Sequence, residues 1–274
     1  RLVGAVRREA STGRREGRAV RVAHAPGRLD AMATDRPDPT ASFAAVDVLE
    51  AMATTRAIRR YREEPVPDEQ LQTILFAATR GPSGSNRQPF RFVVLRDSNE
   101  AHAAKALVAD AAAAMWRSKR TADHYDRGSG AVADSPKARM ARTMDAYIDG
   151  MADVPALIFP CLVRYREPTP SEGASIFPAC QNLLLAARAI GLGGVLTHWH
   201  ASVEHELHVL LVIPEEVAIA ATITLGHPVG GHGPVRRRPL AELVFEDAWE
   251  RPAPWAIDPP GTRFTGAGPP RQGR

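Results

Sequence analysis

Cysteine is scarce in this sequence, long apolar runs are missing, and an excess of positive charge is missing from most of it. Two cysteines, Cys161 and Cys180, stand among 274 residues, too few for the disulfide framework of a small secreted domain. They fall in a strand-like and a helix-like segment and read as buried thiols in a reducing cytoplasm, with no catalytic role. No apolar run approaches the ~20 residues of a membrane-spanning helix, so no membrane span is expected. The net charge of +4 belongs to one end. Residues 1–30 hold eight arginines against Glu9, Glu16 and Asp30, an excess of five, which leaves the remainder at −1. A global nucleic-acid-binding surface is therefore not expected. Residues 1–41 have neither apolar periodicity nor a signal-peptide core and read as a disordered, Arg-rich leader. Glu9 and Glu16 argue against a transit peptide.

What is present is ordinary for a globular chain: 44% apolar and 24% charged residues, with length enough for one substantial core. The organising stretch is Arg80-Gly-Pro-Ser-Gly-Ser-Asn-Arg-Gln-Pro-Phe90. Before it, Leu71, Ile74, Leu75 and Ala78 recur on one helical face. After it, Phe92 to Leu95 is a short apolar run with β-branched residues, a strand. The connection between them reads either as a well-made turn or as a loop that leaves backbone N–H groups free for an anion.

Ala44 to Thr54 reads as a helix with Ala44, Val48, Leu49 and Met52 on its apolar side. The arginines that follow, Arg56, Arg59 and Arg60, are either a solvated face or a phosphate grip, since guanidinium forks match phosphate oxygens. In an extended chain Arg56 and Ile58 face one way and Ala57 and Arg59 the other. Asn99 to Trp116 reads as a helix, Arg117 to Ser135 as a polar lid or insertion without a period, and Ser135 to Gly150 as a helix. Ala156 to Val163 is a strand buried on both faces, whose Pro160 points to an edge or a bulge. Ile176 to Ile190 is an apolar helix stopped by Gly191. Gly191 to Gly194 follows a helix rather than a strand, so the dinucleotide fingerprint does not apply.

Val195 to His200 reads as a strand entering a loop. His198, His200, His205 and His208 have spacings a metal can use, but no cysteine or well-placed carboxylate beyond Glu204 or Glu206 completes a set, and no metal site is assigned. Val217 to Leu225 reads as a strand, Pro239 to Phe245 as a strand leaving the body, and residues 251–274 as a Pro/Gly-rich tail.

Four ordered motifs, Thr55 to Tyr61, the Arg80–Phe90 stretch, Leu225-Gly-His-Pro228 and Gly233 to Leu240, resemble the nitroreductase family of flavin enzymes over about residues 44 to 250. The resemblance implies an α+β fold, with a mixed, mostly antiparallel sheet flanked by helices, a domain over 42–250, a lid at 117–135, and a homodimer that exchanges the C-terminal strand. It implies FMN as cofactor, held by Arg56, Ala57, Arg59, Arg60, Pro82, Ser83, Gly84, Asn86, Thr197, His198 and Arg237. Arg236 and Arg238 stand ready as substitutes for Arg237. Arg59 would tune the flavin, Thr197 and His198 would pass backbone by its N5, and no side chain would be catalytic, because the flavin carries the chemistry. The sequence departs from the family at Thr55, where many members have Arg, and at Ala57, where many have Ser. The implied reaction is hydride transfer from NADH or NADPH to an electron-poor acceptor such as a nitroaromatic or quinone. Alternatives are other chemistry on the same fold, such as flavin destruction for the cobalamin lower ligand or reductive dehalogenation, and a non-catalytic flavin-binding or storage protein.

Overall fold

A computed structural model of the chain describes residues 46–266. The expected leader at 1–41, Ala44 of the first helix and the last eight tail residues lie outside the described residues.

Helix α1 (Val48–Thr54) starts at Asp47, whose carboxylate accepts the Leu49 and Glu50 N–H groups and so satisfies two orphan donors. Its apolar side is turned outward, against expectation. Ala51 is buried, whereas Val48, Leu49 and Met52 are more than half exposed. Helix α2 (Asp68–Ala78) buries Leu71, Ile74 and Ala78 as its period requires. Strand β1 (Phe90–Leu95) leads to α3 (Asn99–Ala122), which runs past the expected end at Trp116. The aperiodic stretch is thereby shortened to 123–135. Helix α4 (Pro136–Asp149) is capped by Ser135, with Pro136 in its first turn, where a missing N–H costs nothing.

Strand β2 (Ala156–Val163) is central, not an edge. It pairs with β1 on one side and with β4 (Val217–Ile219) and β5 (Thr222–Gly226) on the other. The expected single strand Val217–Leu225 is broken opposite Pro160, where the Ala220 N–H donates to the Pro160 carbonyl at 2.8 Å. The proline is accommodated by an interruption in its neighbour. Strand β3 (Gly193–Thr197) completes the order β1-β2-β5-β3, and every pairing of named strands is antiparallel. Helices α5 (Phe177–Ala189) and α6 (Glu204–Leu211) fill the remaining connections.

Alternation along the strands sends residues to two cores. Leu157, Phe159 and Cys161 meet Val108, Tyr147 and Leu207 from α3, α4 and α6. Ile158, Ile223 and Leu225 meet Ile74 and Leu183 from α2 and α5. The result is an α+β architecture with helices on both faces of the sheet. Buried Lys105 on α3 donates to the carbonyls of Arg96 and Val154 at 2.7 and 2.8 Å, tying the helix to the end of β1 and the approach to β2. Burial pushes the thiols of Cys161 and Cys180 up to about 12, so neither is a nucleophile.

Pro239 to Phe245 is not a strand within this chain. It forms a 3₁₀ turn at Leu240–Glu242, held by the Asp258 carboxylate on the Leu240 N–H at 2.9 Å. Residues 252–266 carry more fixed contacts than their composition suggests. Ala253 and Ala256 are buried, and Arg237 bridges to Phe264.

Candidate active site

The arginine segment after α1 is extended, and its position is set by backbone bonds. The Ile58 N–H donates to the Gly194 carbonyl at 3.0 Å, Arg62 to His227 at 2.8 Å, and Val229 to Arg60 at 2.9 Å. Ile58 is buried against the start of β3, so its neighbours Ala57 and Arg59 turn away from that contact. Arg56, Ala57, Arg59 and Arg60 all line one open cleft of about 930 Å³. The other walls come from Val229–Gly231 and Pro234–Arg237, from Pro136, Arg139, Met140 and Thr143 of α4, and from Arg263. Seven of the eighteen lining residues are arginine and none is acidic.

Below the cleft lies a buried hydroxyl network. The Tyr61 and Tyr147 hydroxyls sit 2.8 and 2.7 Å from the Thr224 hydroxyl, and Tyr61 also donates to the Ile58 carbonyl at 2.6 Å. Burial pushes Tyr61 well above its ordinary value and Tyr147 up to about 12, so both stay neutral. Arg59 lies near this pair, and its buried Nε has no hydrogen-bond partner. A buried guanidinium donor without a partner is uncommon and marks a place for an acceptor. At the loop following β5, the His232 ring donates from Nε2 to the Leu192 carbonyl at 2.9 Å, and burial holds its pKa below the ordinary range.

Arg237 is in the cleft with Arg236, while Arg238 is turned away into a pair with Glu242. Thr197 ends β3 and His198 follows it, roughly 10 and 13 Å from Gly194 at strand spacing. The His198 ring packs 6.0 Å from Phe177, and Thr197 donates to the Thr222 carbonyl. His200 is structural. Its two ring nitrogens are engaged by Thr222 and the Ile219 carbonyl, and neither it nor Thr197 or His198 lines the arginine cleft. No group of three or more His, Cys, Asp or Glu arranged for a metal is found among the described residues.

The structure does not bring Pro82, Ser83, Gly84 and Asn86 to this cleft. Their loop precedes β1 at the opposite edge of the sheet from β3. The Phe90 row and the Gly194 row are separated by roughly 14 Å across the strands and about 20 Å along them. Four of the loop's backbone N–H groups are engaged within the chain. Gly84 donates to the Ser175 hydroxyl, Asn86 to the Ser83 carbonyl, Arg87 to the Gly84 carbonyl and Gln88 to the Ser83 hydroxyl. Ser85, Asn86 and Gln88 all have φ near +50°, a conformation that non-glycine residues hold only under constraint. Arg139 and Arg263 are the cleft arginines that the sequence does not single out as ligand residues. Arg139 could have been found from the face of α4, whereas Arg263 sits in a stretch with no period at all.

A family model described as the nitroreductase family matches residues 52–227. The chain belongs to the nitroreductase family. A Thermus thermophilus protein named NADH dehydrogenase is 29% identical over 224 residues, covering 75% of this chain and 98% of that one. A Vibrio harveyi NADPH-flavin oxidoreductase is 26% identical over 206 residues, covering 74% of this chain and 75% of its own length. Among solved structures, a Desulfovibrio desulfuricans nitroreductase in complex with FMN is 28% identical. It covers 74% of this chain and 98% of that chain, with a TM-score of 0.53.

Proposed function

We propose that this nitroreductase-family chain is an FMN-dependent NAD(P)H oxidoreductase that passes electrons to an electron-poor acceptor such as a quinone or nitroaromatic. The observation that carries it is the cleft itself: seven arginines, no carboxylate, and a buried Arg59 Nε in want of an acceptor. These residues fit the group. Arg56 and Arg237 supply forked donors for the phosphate, and the buried edge of Arg59 suits the ring carbonyl and N1. When bound, FMN would accept a hydride at N5 and release the electrons to the second substrate. The chain would bind and orient it. Arg59, near the two neutral tyrosines, would stabilise negative charge on the reduced ring without reorganising solvent.

The site is split in one chain, and this supports a homodimer. The Pro82–Asn86 loop is too far away to reach its own cleft, so a second copy would supply it. The outward apolar side chains of Val48, Leu49, Met52 and Phe76, on the helices that flank α5, give that copy a surface to cover. The experiment is direct. The purified protein should be yellow, heat should release FMN rather than FAD, and the loaded protein should oxidise NADH or NADPH with a quinone. A colourless protein that also fails to bind added FMN would overturn the reading.

A further inference from the structure

One phosphate monoester carries at most about two negative charges near neutral pH, and Arg56 and Arg237 already match it. The cleft holds five more arginines. Like charges gathered in one concavity repel one another, and with no carboxylate in the lining they favour an anionic ligand. Arg59 has its own role under the ring. Two of the others lie on elements outside the cofactor motifs. Arg139 projects from the first turns of α4, directly after the 123–135 loop, and one arm donates to the Asp134 carbonyl. That bond orients the guanidinium and leaves its other donors for a ligand. Arg263 comes from the C-terminal segment, whose backbone is fixed by the Arg237 N–H on the Arg263 carbonyl at 3.3 Å and by the Thr265 N–H on the Arg237 carbonyl at 3.0 Å. Its side chain has no hydrogen bond or ion pair among the described residues.

We propose that Arg139 and Arg263 form a second anion subsite, which holds a phosphate or carboxylate carried by the donor or the acceptor that enters after FMN. The proposal rests on the FMN reading above. The two arginines stand on different walls, so the subsite gates by charge which molecules dwell in the cleft. An anionic co-substrate gains two guanidinium contacts that its neutral counterpart lacks. The chemistry has two sources, the 2′-phosphate of NADPH or an acidic group on the acceptor, and the kinetics separate them.

The test uses FMN-loaded dimer, wild type and the double variant Arg139→Gln/Arg263→Gln. kcat/KM is measured for NADPH against NADH with a neutral quinone, and for a carboxylated quinone against its neutral parent with a fixed donor. Binding of adenosine 2′,5′-bisphosphate to the loaded protein is followed by calorimetry. FMN content is measured separately. In wild type one anionic member should be preferred by about tenfold or more, and rising salt should erode the preference. In the variant that preference should fall by about tenfold at wild-type FMN content. If NADPH is the preferred partner, calorimetric binding should weaken by a similar factor. A preference that survives in the variant overturns the proposal, as does a wild type with no preference in either pair. Loss of FMN from the variant also overturns it, by assigning both arginines to the cofactor, and leaves the FMN reading standing. Failure of the wild type to bind FMN removes both readings together.

Discussion

Ile58 donates its backbone N–H to the carbonyl of Gly194 at 3.0 Å, and this contact holds the arginine segment against the start of β3. The approach is possible because Gly193 has no side chain. A Cβ at that position would lie 2.5 Å from Ile58 Cγ1.

Gly193→Ala should therefore displace the segment that carries Arg56 and Arg59, and lower FMN affinity by about tenfold or more, since charge-assisted contacts are worth about 1.5–3 kcal/mol. Removing the opposing γ carbons in Ile58→Ala/Gly193→Ala should recover part of the loss. Fluorescence titration with FMN checks both. Undiminished affinity in the single variant would show that the close approach does not govern the site.

Arg237 and Arg59 should fail differently. Arg237→Ala should weaken FMN binding by roughly ten- to hundredfold. Arg59→Ala should lower the flavin reduction potential and slow hydride transfer at full occupancy, because the reduced form loses more than the oxidised one. Stopped-flow reduction of each saturated variant decides. A larger slowing in Arg237→Ala would reverse the two assignments.

Thr224→Val should destabilise the fold by about 1–3 kcal/mol, because it strands the buried Tyr147 hydroxyl. Adding Tyr147→Phe should cost less than the sum of the two single changes. A double-mutant cycle in urea measures the coupling, and strict additivity would deny it.

Stability should fall with acid near neutrality. Burial lowers the folded pKa of His200 and His232 from an ordinary 6.5. Below that value the unfolded chain binds protons that the folded chain refuses, so stability present above pH 6.5 is lost as pH drops toward the folded values. The urea midpoint should be lower at about pH 5.5 than at about pH 7.5, and His200→Gln should flatten the slope. An unaltered slope in that variant would place the titration elsewhere.

Leu49 is 72% exposed and Met52 52% exposed. If a second copy covers α1, then Leu49→Glu/Met52→Glu should give a monomer by light scattering, with FMN content reduced in parallel. A wild-type monomer that holds FMN would rule out the shared site.

Much of the fold was legible because periodicity is local. The α2 stripe Leu71–Ala78, the limits of α4 at Ser135 and Gly150, and the unbroken β2 run each follow from residues within a few positions of one another. Arg56, Arg59 and Arg237, which the ordered motifs single out, line one cleft, whereas Ser83, singled out on the same grounds, does not. Tertiary structure decided the rest. Period marks an apolar side of α1 but cannot say whether the same chain covers it. Pro160 removes a donor, yet only the position of β4 and β5 shows that the neighbour breaks instead of the sheet ending. Lys105 looks like a surface charge until Arg96 and Val154 offer carbonyls from distant segments. Arg263 has no local pattern, and its place in the cleft comes from the Arg237 N–H donating to its carbonyl. Sequence sets which groups are available, because side-chain chemistry and backbone preference are properties of single residues and near neighbours. Which of them share one volume depends on contacts between residues far apart in the chain, and no local period encodes those.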